Sequence, residues 1–301
     1  MPRKVKRHVL GSASAAFFAV LLLTSCAAPE AGVGTANPAL GQCRLLQSPD
    51  EADAVSDPSP PVACTTEHTV ETYRVAQLPG PVAQQSVRPN QQQLRVRQSS
   101  LCADGSLRAY LAARPRDSVN GFATVSFFPS PQDWSQGARA YRCDISYRGV
   151  DGTGSDAPYA LDGSLQGIMG RPDSAKLRLC YLASEEPGKA GVTGRHAPCS
   201  EPHLAEDVNA WFTMDRTLAE PELRTAKCLP YVLEFLEVKA LPQGVRVVPL
   251  LSTDNGASTL RCAVGRTGEG AALSVGTLAP LNAKAAEPPL ELAGRVGGGQ
   301  P

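Results

Sequence analysis

Eight cysteines in two matched sets of four constrain this 301-residue chain more than any other feature. Cys43, Cys64, Cys102 and Cys143 form one set, and Cys180, Cys199, Cys228 and Cys262 the other. Successive gaps are 21, 38 and 41 residues in the first set and 19, 29 and 34 in the second. An even cysteine number in an exported chain reads as a disulfide framework. Ordered gaps of similar rank read as an internal repeat. Closure within each half leaves three shared patterns. The expected one joins first to second and third to fourth: Cys43–Cys64, Cys102–Cys143, Cys180–Cys199 and Cys228–Cys262. The reason is geometric: the first two of each set lie on short apolar segments suited to neighbouring strands, and the third lies on a helical segment that must be tied to the sheet. Each bridge closing a loop of this size contributes about 3–4 kcal/mol.

The ninth cysteine stands apart. Arg3, Lys4, Lys6 and Arg7 precede an apolar run from Val9 to Leu23, which ends Leu23-Thr24-Ser25-Cys26. That run is shorter than the span of about 20 residues that crosses a bilayer, and its flanks are those of a secretory signal. Leu-Thr-Ser-Cys resembles the lipobox of bacterial lipoproteins. There the thiol takes a diacylglycerol, an anchor built on acyl chains such as palmitate, and becomes the new amino terminus. Residues 1–25 are therefore expected to be a signal peptide, Cys26 the lipidated residue, and residues 26–39 a tether. The expected location is the extracytoplasmic face of the cell membrane. Two acyl chains hold far better than one, at about 0.8 kcal/mol per buried methylene. Cleavage removes four of the 29 basic residues and none of the 29 acidic ones, leaving a net charge of −4. A nucleic-acid partner, which calls for a basic excess, is not expected.

Sequence landmarks recur around the cysteines. Cys64-Thr65-Thr66-Glu67-His68-Thr69-Val70-Glu71 and Cys199-Ser200-Glu201-Pro202-His203-Leu204-Ala205-Glu206 share the pattern Cys-[Ser/Thr]-x-x-His-x-x-Glu. The fourth cysteine follows an arginine in both halves (Arg142, Arg261) and lies six residues after a glycine (Gly137, Gly256). Gly163-Ser164-Leu165 corresponds to Gly276-Thr277-Leu278.

Short elements are expected from 27 glycines, 26 prolines and only 5% aromatic residues. In the first half, strands are expected at 41–46, 62–75, 123–128 and 138–147, with an edge strand at 161–168. A short helix capped by Ser99 or Ser100 is expected through Leu101, Leu107, Tyr110 and Leu111, and residues 79–93 and 129–136 are expected to be loop or turn. In the second half, strands are expected at 176–182, 245–251 and 258–264, and a helix at 223–238 in which Pro230 implies a kink or a late start. The fold class is α+β: two tandem repeats at 40–170 and 174–282, each a self-contained, disulfide-stapled small antiparallel sheet with one helix. Residues 283–301 lack apolar periodicity and are expected to form a disordered tail.

The order Cys…Cys-x-x-x-His-x-x-Glu…Cys…Trp-x-x-Gly-x-Arg-x-x-x-Cys, ending here in Trp134-Ser135-Gln136-Gly137-Ala138-Arg139-Ala140-Tyr141-Arg142-Cys143, resembles the septum formation domain of actinobacterial envelope proteins. The resemblance covers residues 38–170 and recurs over 174–282. The first stretch has Glu67 where the family usually has proline; the second has Pro202, but Thr253 and Ser258 replace Trp134 and Arg139. It implies a secreted or membrane-anchored, non-enzymatic domain of division-septum or envelope biology.

Six residues are candidates for binding. His68 with Glu71, and His203 with Glu206, have a spacing that suits part of a metal site. An exported cysteine is oxidised rather than a thiolate ligand, however, so the expectation is a histidine hydrogen-bonded beside a disulfide, with no metal and no cofactor. Trp134 and Arg139 suit either a cation–π recognition surface or a packed turn. Gly-x-Ser-x-Gly and His-Glu-x-x-His are absent from the sequence, and no catalytic residue is expected. The leading expectation is a non-catalytic binding or scaffold protein of the envelope, associated with septation and with envelope or division proteins. A metal- or small-ligand-binding envelope receptor and an envelope-polymer hydrolase are the alternatives.

Overall fold

A computed structural model describes residues 38–46, 54–102, 105–150, 157–183, 192–214, 218–254, 257–267, 274–281, 290 and 292–295. The expected signal peptide, Cys26 and nearly all of the tether lie outside the described residues. None of the described helices is long and apolar enough to cross a membrane.

The first half runs β1 (Cys43–Arg44), β2 (Val70–Gln77), α1 (Gly80–Ala83), α2 (Gln91–Leu101), α3 (Ser106–Tyr110), β3 (Phe122–Phe127), α4 (Pro131–Ser135), β4 (Ala140–Tyr147) and β5 (Tyr159–Leu161). The second runs β6 (Leu179–Ala183), β7 (Val192–Pro198), β8 (Ala205–Thr213), α5 (Pro221–Leu236), β9 (Val245–Asp254) and β10 (Ala257–Arg266), followed by β11 (Leu292–Arg295). The fold is α+β. One sheet has the antiparallel order β1-β2-β4-β3 and the other β7-β6-β8-β10-β9. An isolated bridge from Cys43 to Val62 sits where β7 flanks β6, so the two orders correspond strand for strand. Cys43 faces Glu71 across one pair and Cys180 faces Glu206 across the other.

All four expected disulfides form: Cys43–Cys64, Cys102–Cys143, Cys180–Cys199 and Cys228–Cys262. The second bridge of each half ties a helix to a strand. Cys102 caps α2 and Cys228 lies within α5, while Cys143 and Cys262 sit on β4 and β10. The braces lie in apolar surroundings, with Cys143, Cys228 and Cys262 fully buried.

Several expectations shift. Among the described residues the first half holds four short α-helices rather than one. Two of them start at capping boxes, in which the side chains of Asn90 and Ser130 accept from the N–H of Gln93 and Asp133. The polar Gln-rich run of α2 buries Leu94 alone in its middle, too weak a stripe to read as a helix. Ser99 and Ser100 belong to its last turn instead of its cap. Residues 129–136 hold α4. The strand expected from Val62 is reduced to one bridge, because the turn at Cys64–Thr66 intervenes before β2. The edge strand is Tyr159–Leu161, ahead of a 3-10 turn at Ile168–Gly170. The long helix begins at Pro221, so Pro230 does not delay it.

The tail is also corrected. Leu290 is fully buried; its N–H donates to Asp173 at 2.8 Å and its carbonyl accepts from Lys176 Nζ at 2.8 Å. β11 then pairs with β5. A Cβ on Gly163 would stand 3.0 Å from Leu290 Cα, so this glycine is what lets the tail lie so close.

The halves are not separate cores. One apolar cluster contains Tyr73, Ile145 and Leu161 of the first half with Tyr181, Ala205, Val248 and Ala263 of the second. Arg178 crosses the junction fully buried, 2.7 Å from Asp117 and donating to the Met169 carbonyl at 2.7 Å. Burial works against the Asp117 carboxylate, but hydrogen bonds from Arg114 and the charge of Arg178 hold its pKa below the usual value. Arg116 pairs with Glu234 at 2.8 Å, and Tyr147 Oη donates to the Lys176 carbonyl at 3.1 Å.

Candidate functional site

The repeated Cys-His-Glu phrase builds a lock, and builds it twice. His68 Nδ1 lies 2.8 Å from the Thr66 carbonyl and His203 Nδ1 lies 2.8 Å from the Glu201 carbonyl. A carbonyl only accepts, so the proton sits on Nδ1 in both rings. The backbone of His68 exchanges two hydrogen bonds with Leu161, at 2.9 and 2.8 Å, as His203 does with Ser274, at 3.0 and 2.8 Å. Two residues beyond each partner comes the Gly-[Ser/Thr]-Leu turn, which fixes the glutamate. The Glu71 carboxylate accepts from Ser164 Oγ at 2.7 Å, from the Leu165 N–H at 2.6 Å, and from Tyr110 Oη. Glu206 accepts from Thr277 Oγ1 at 2.6 Å and the Leu278 N–H at 2.6 Å, with Arg178 Nη1 3.7 Å away. Burial pushes the Glu206 carboxyl up, partly offset by Arg178 and these donors.

All four of these residues are at most 1% exposed. Imidazole, sulfur and carboxylate do converge: the ligand atoms of Cys43, His68 and Glu71 lie within 4.8 Å of one another, as do those of Cys180, Cys199 and His203. The sulfurs are bonded in disulfides and carry no thiolate charge, and the Glu71 carboxylate is already served by three donors. The chemistry of the lock is that of a fastener between strand and turn.

Trp134 and Arg139 are brought together, but not as an exposed surface. The guanidinium stacks 3.9 Å from the indole ring, whose residue is 2% exposed. Arg139 donates to the carbonyls of Ala83, Trp134 and Ala138 at 2.7–2.9 Å, and the indole N–H donates to the Gln85 carbonyl at 3.2 Å. The pair clasps the end of α1 to the α4 turn. The second half lacks this clasp because it has Thr253 and Ser258 at those positions.

The accessible chemistry lies on the face of each sheet opposite the helix. In the first half that face is closed. Arg142 is 1% exposed, pairs with Asp57 and with Asp144 at 2.8 Å, and lies over the Phe127 ring at 4.5 Å. Thr72 donates to Asp144 at 2.7 Å, and Arg44 donates to Thr72 at 3.3 Å. In the second half the matching positions hold Arg261, Ala263, Asp207 and Tyr181. Tyr181 Oη donates to Asp207 at 2.7 Å and is hydrogen-bonded to Arg261; the Asn209 N–H donates to the other Asp207 oxygen at 2.7 Å. Burial pushes the Asp207 carboxyl up, partly offset by these two donors and Arg261. His196 packs edge-on against the Tyr181 ring at 5.2 Å, and burial, reinforced by Arg261, holds its pKa down, so the ring is neutral at pH 7.

Arg261, Asp207 and His196 line a cleft of about 570 Å³ at the junction, which Asn120 and Gly149 of the first half also border. Trp211 stands at its wall, 66% exposed. A bulge puts it there. Three residues of β8, Val208 to Ala210, oppose the single Cys262, and Asn209 takes a left-handed backbone, φ 48°. Trp211 thereby comes opposite Arg261. The corresponding bulge in β2 is one residue shorter and sets Val75 opposite Arg142.

The sequence reading missed Asp207, His196, Trp211 and Arg261 as a group. The available signal was substitution between the halves: Asp207 for Thr72, Ala263 for Asp144 and Tyr181 for Arg44, around an arginine common to both.

In comparison with known families, the family model for septum formation matches residues 40–220, from β1 through β8. Nothing matches among curated proteins, and nothing matches among solved structures. The match and the four disulfides fit an extracellular envelope protein.

Proposed function

Since the chain belongs to the septum formation family, we propose that it is a non-catalytic binding or scaffold protein of the cell envelope that works in septation. On this reading Cys26 carries the lipid that holds it on the extracytoplasmic face of the membrane, and its partners are envelope or division proteins. The second half is then a further copy of the family module. The observation that carries the reading is the use made of the reactive side chains. Two His-Glu pairs and four disulfides are spent on rigidity, and a cleft opens at the junction of the halves. A stiff scaffold presenting such a recess suits recognition.

The test is to follow a labelled chain in dividing cells and to capture its neighbours by crosslinking. Enrichment at the division site, with a division protein captured, is the expected result. Even distribution around the envelope with no such capture would overturn it. Of the alternatives, a receptor for a small ligand draws on the same cleft. A hydrolase requires turnover of peptidoglycan fragments by the oxidised protein, and none is expected.

A further inference from the structure

We propose that the cleft beside Arg261 binds the carboxylate of an acidic saccharide, with Trp211 stacking on the sugar ring. This deepens the binding reading above by naming a ligand class for its recess.

The first half supplies the argument, because it solves the same electrostatic problem internally. Arg142 and Arg261 occupy equivalent positions, each immediately before the fourth cysteine on equivalent strands. A guanidinium withdrawn from water is best matched by a carboxylate partner; Arg142 is fully buried and Arg261 half-buried. Arg142 has two: Asp144 from its own strand, and Asp57 reaching in from the segment before Val62. Arg261 has Ala263 where Asp144 would be, and among the described residues no carboxylate reaches it from outside the sheet. The neighbouring Asp207 has both its oxygens engaged, by Tyr181 and by the Asn209 N–H. Asp57 closes over Arg142 in the first half, and in the second the cleft opens beside Arg261. A planar carboxylate is the group that matches a guanidinium fork.

The rest of the cleft describes what is attached to that carboxylate. An indole at 66% exposure offers a flat apolar face beside the polar groups. Such a face suits the axial C–H surface of a pyranose ring. Asn120, Thr259 and the neutral His196 supply the uncharged donors and acceptors that hydroxyl groups need. Arg261 is the charged side chain of the lining that has no acidic partner within salt-bridge distance among the described residues, so the ligand carries a single negative charge.

The experiment titrates the disulfide-intact full chain in detergent with glucuronic acid against glucose, and with N-acetylmuramic acid against N-acetylglucosamine. In the first pair a carboxylate replaces a hydroxymethyl group; in the second it is carried on an added lactyl ether. Binding is read by isothermal calorimetry and by protection of tryptophan fluorescence from acrylamide. The protein has two tryptophans, and Trp134 is buried, so the quenchable signal belongs to Trp211. The expected result is binding of the acids about tenfold or more tighter than their neutral partners, with Trp211 protected. Arg261→Gln should remove that preference and Trp211→Ala should abolish binding, while both variants keep the parent's melting curve. Glu185→Gln/Glu186→Gln, which neutralises the two acids of the segment joining β6 to β7, should bind as the parent does.

Equal affinity for acid and neutral sugar would overturn the proposal, as would no binding at millimolar ligand. Tryptophan protection by an acidic peptide but by neither acid sugar would overturn the saccharide. An approximately tenfold gain in the Glu185/Glu186 variant would assign the carboxylate to this chain and overturn the external ligand. None of these outcomes bears on where the protein sits in the cell, which tests the septal reading separately.

Discussion

Arg142 and Arg261 sit at the same position of two sheets that share a strand order, and their surroundings differ almost completely. Arg142 is sealed between Asp57, Asp144 and Phe127. Arg261 is half-buried, bonds to Tyr181 and faces a cleft. What the halves share is the machinery of folding: the helix-to-strand disulfide, the histidine-held turn and the glutamate fastened to a Gly-[Ser/Thr]-Leu loop. What they do not share is the outer face. The division suggests that the conserved-looking phrases mark architecture and the differing positions mark recognition.

The largest effects should be equal in the two halves. Replacing Cys102 and Cys143 by Ala, or Cys228 and Cys262 by Ala, opens loops of 41 and 34 residues. Each should cost about 4 kcal/mol, measured by urea denaturation. A large loss in one pair with none in the other would break the equivalence. The next effect should be unequal. Asp57→Ala leaves Arg142 buried with one partner fewer and should cost about 3 kcal/mol, whereas Arg261→Ala, at a half-exposed position, should cost under about 1 kcal/mol. Comparable losses would erase the contrast between a sealed face and an open one.

Glu71→Ala and Glu206→Ala should each cost about 2 kcal/mol by stranding the donors of the locking turn. A near-neutral result at either would remove that lock from the shared machinery. The smallest effect is a pH dependence belonging to the second half. Burial lowers the pKa of His203, and of His196 with help from Arg261. As pH falls through about 6.5, the unfolded chain takes up protons that the folded rings refuse. Stability is therefore lost on the acid side and is fully present above that value. The raised Glu206 and Asp207 carboxyls act with the opposite sign, so the histidine share is read by difference: between pH 7 and pH 5 the parent should lose melting temperature relative to His196→Gln/His203→Gln.

Much of the scaffold was legible because its determinants are local or repeated. Cysteine order narrows the bridges to three shared patterns, the strand and helix segments around them select among these, and the phrase from Cys64 to Glu71, met again from Cys199 to Glu206, marks a working unit before its contacts are known. The fold-class reading follows from these. The outer face was not legible because its decisive contacts are remote. Asp57 meets Arg142 across 85 residues, and no local pattern signals it. Trp134 and Arg139 show the limit of a local pattern: five residues apart, they suit a recognition surface or a packed turn equally in the sequence, and the structure makes them a clasp satisfied by backbone carbonyls. The helices α2 and α4 escaped because capping boxes, rather than apolar stripes, start them. The tail strand escaped because four residues pairing with β5 carry no periodicity of their own.

The contrast between the faces is tested most directly by arginine-selective labelling of the native, oxidised protein with phenylglyoxal, read by peptide mass spectrometry. Arg261 should be modified while Arg142 stays protected, and Arg142 should become reactive in Asp57→Ala. Equal protection of both arginines, or ready labelling of Arg142 in the parent protein, would contradict the account.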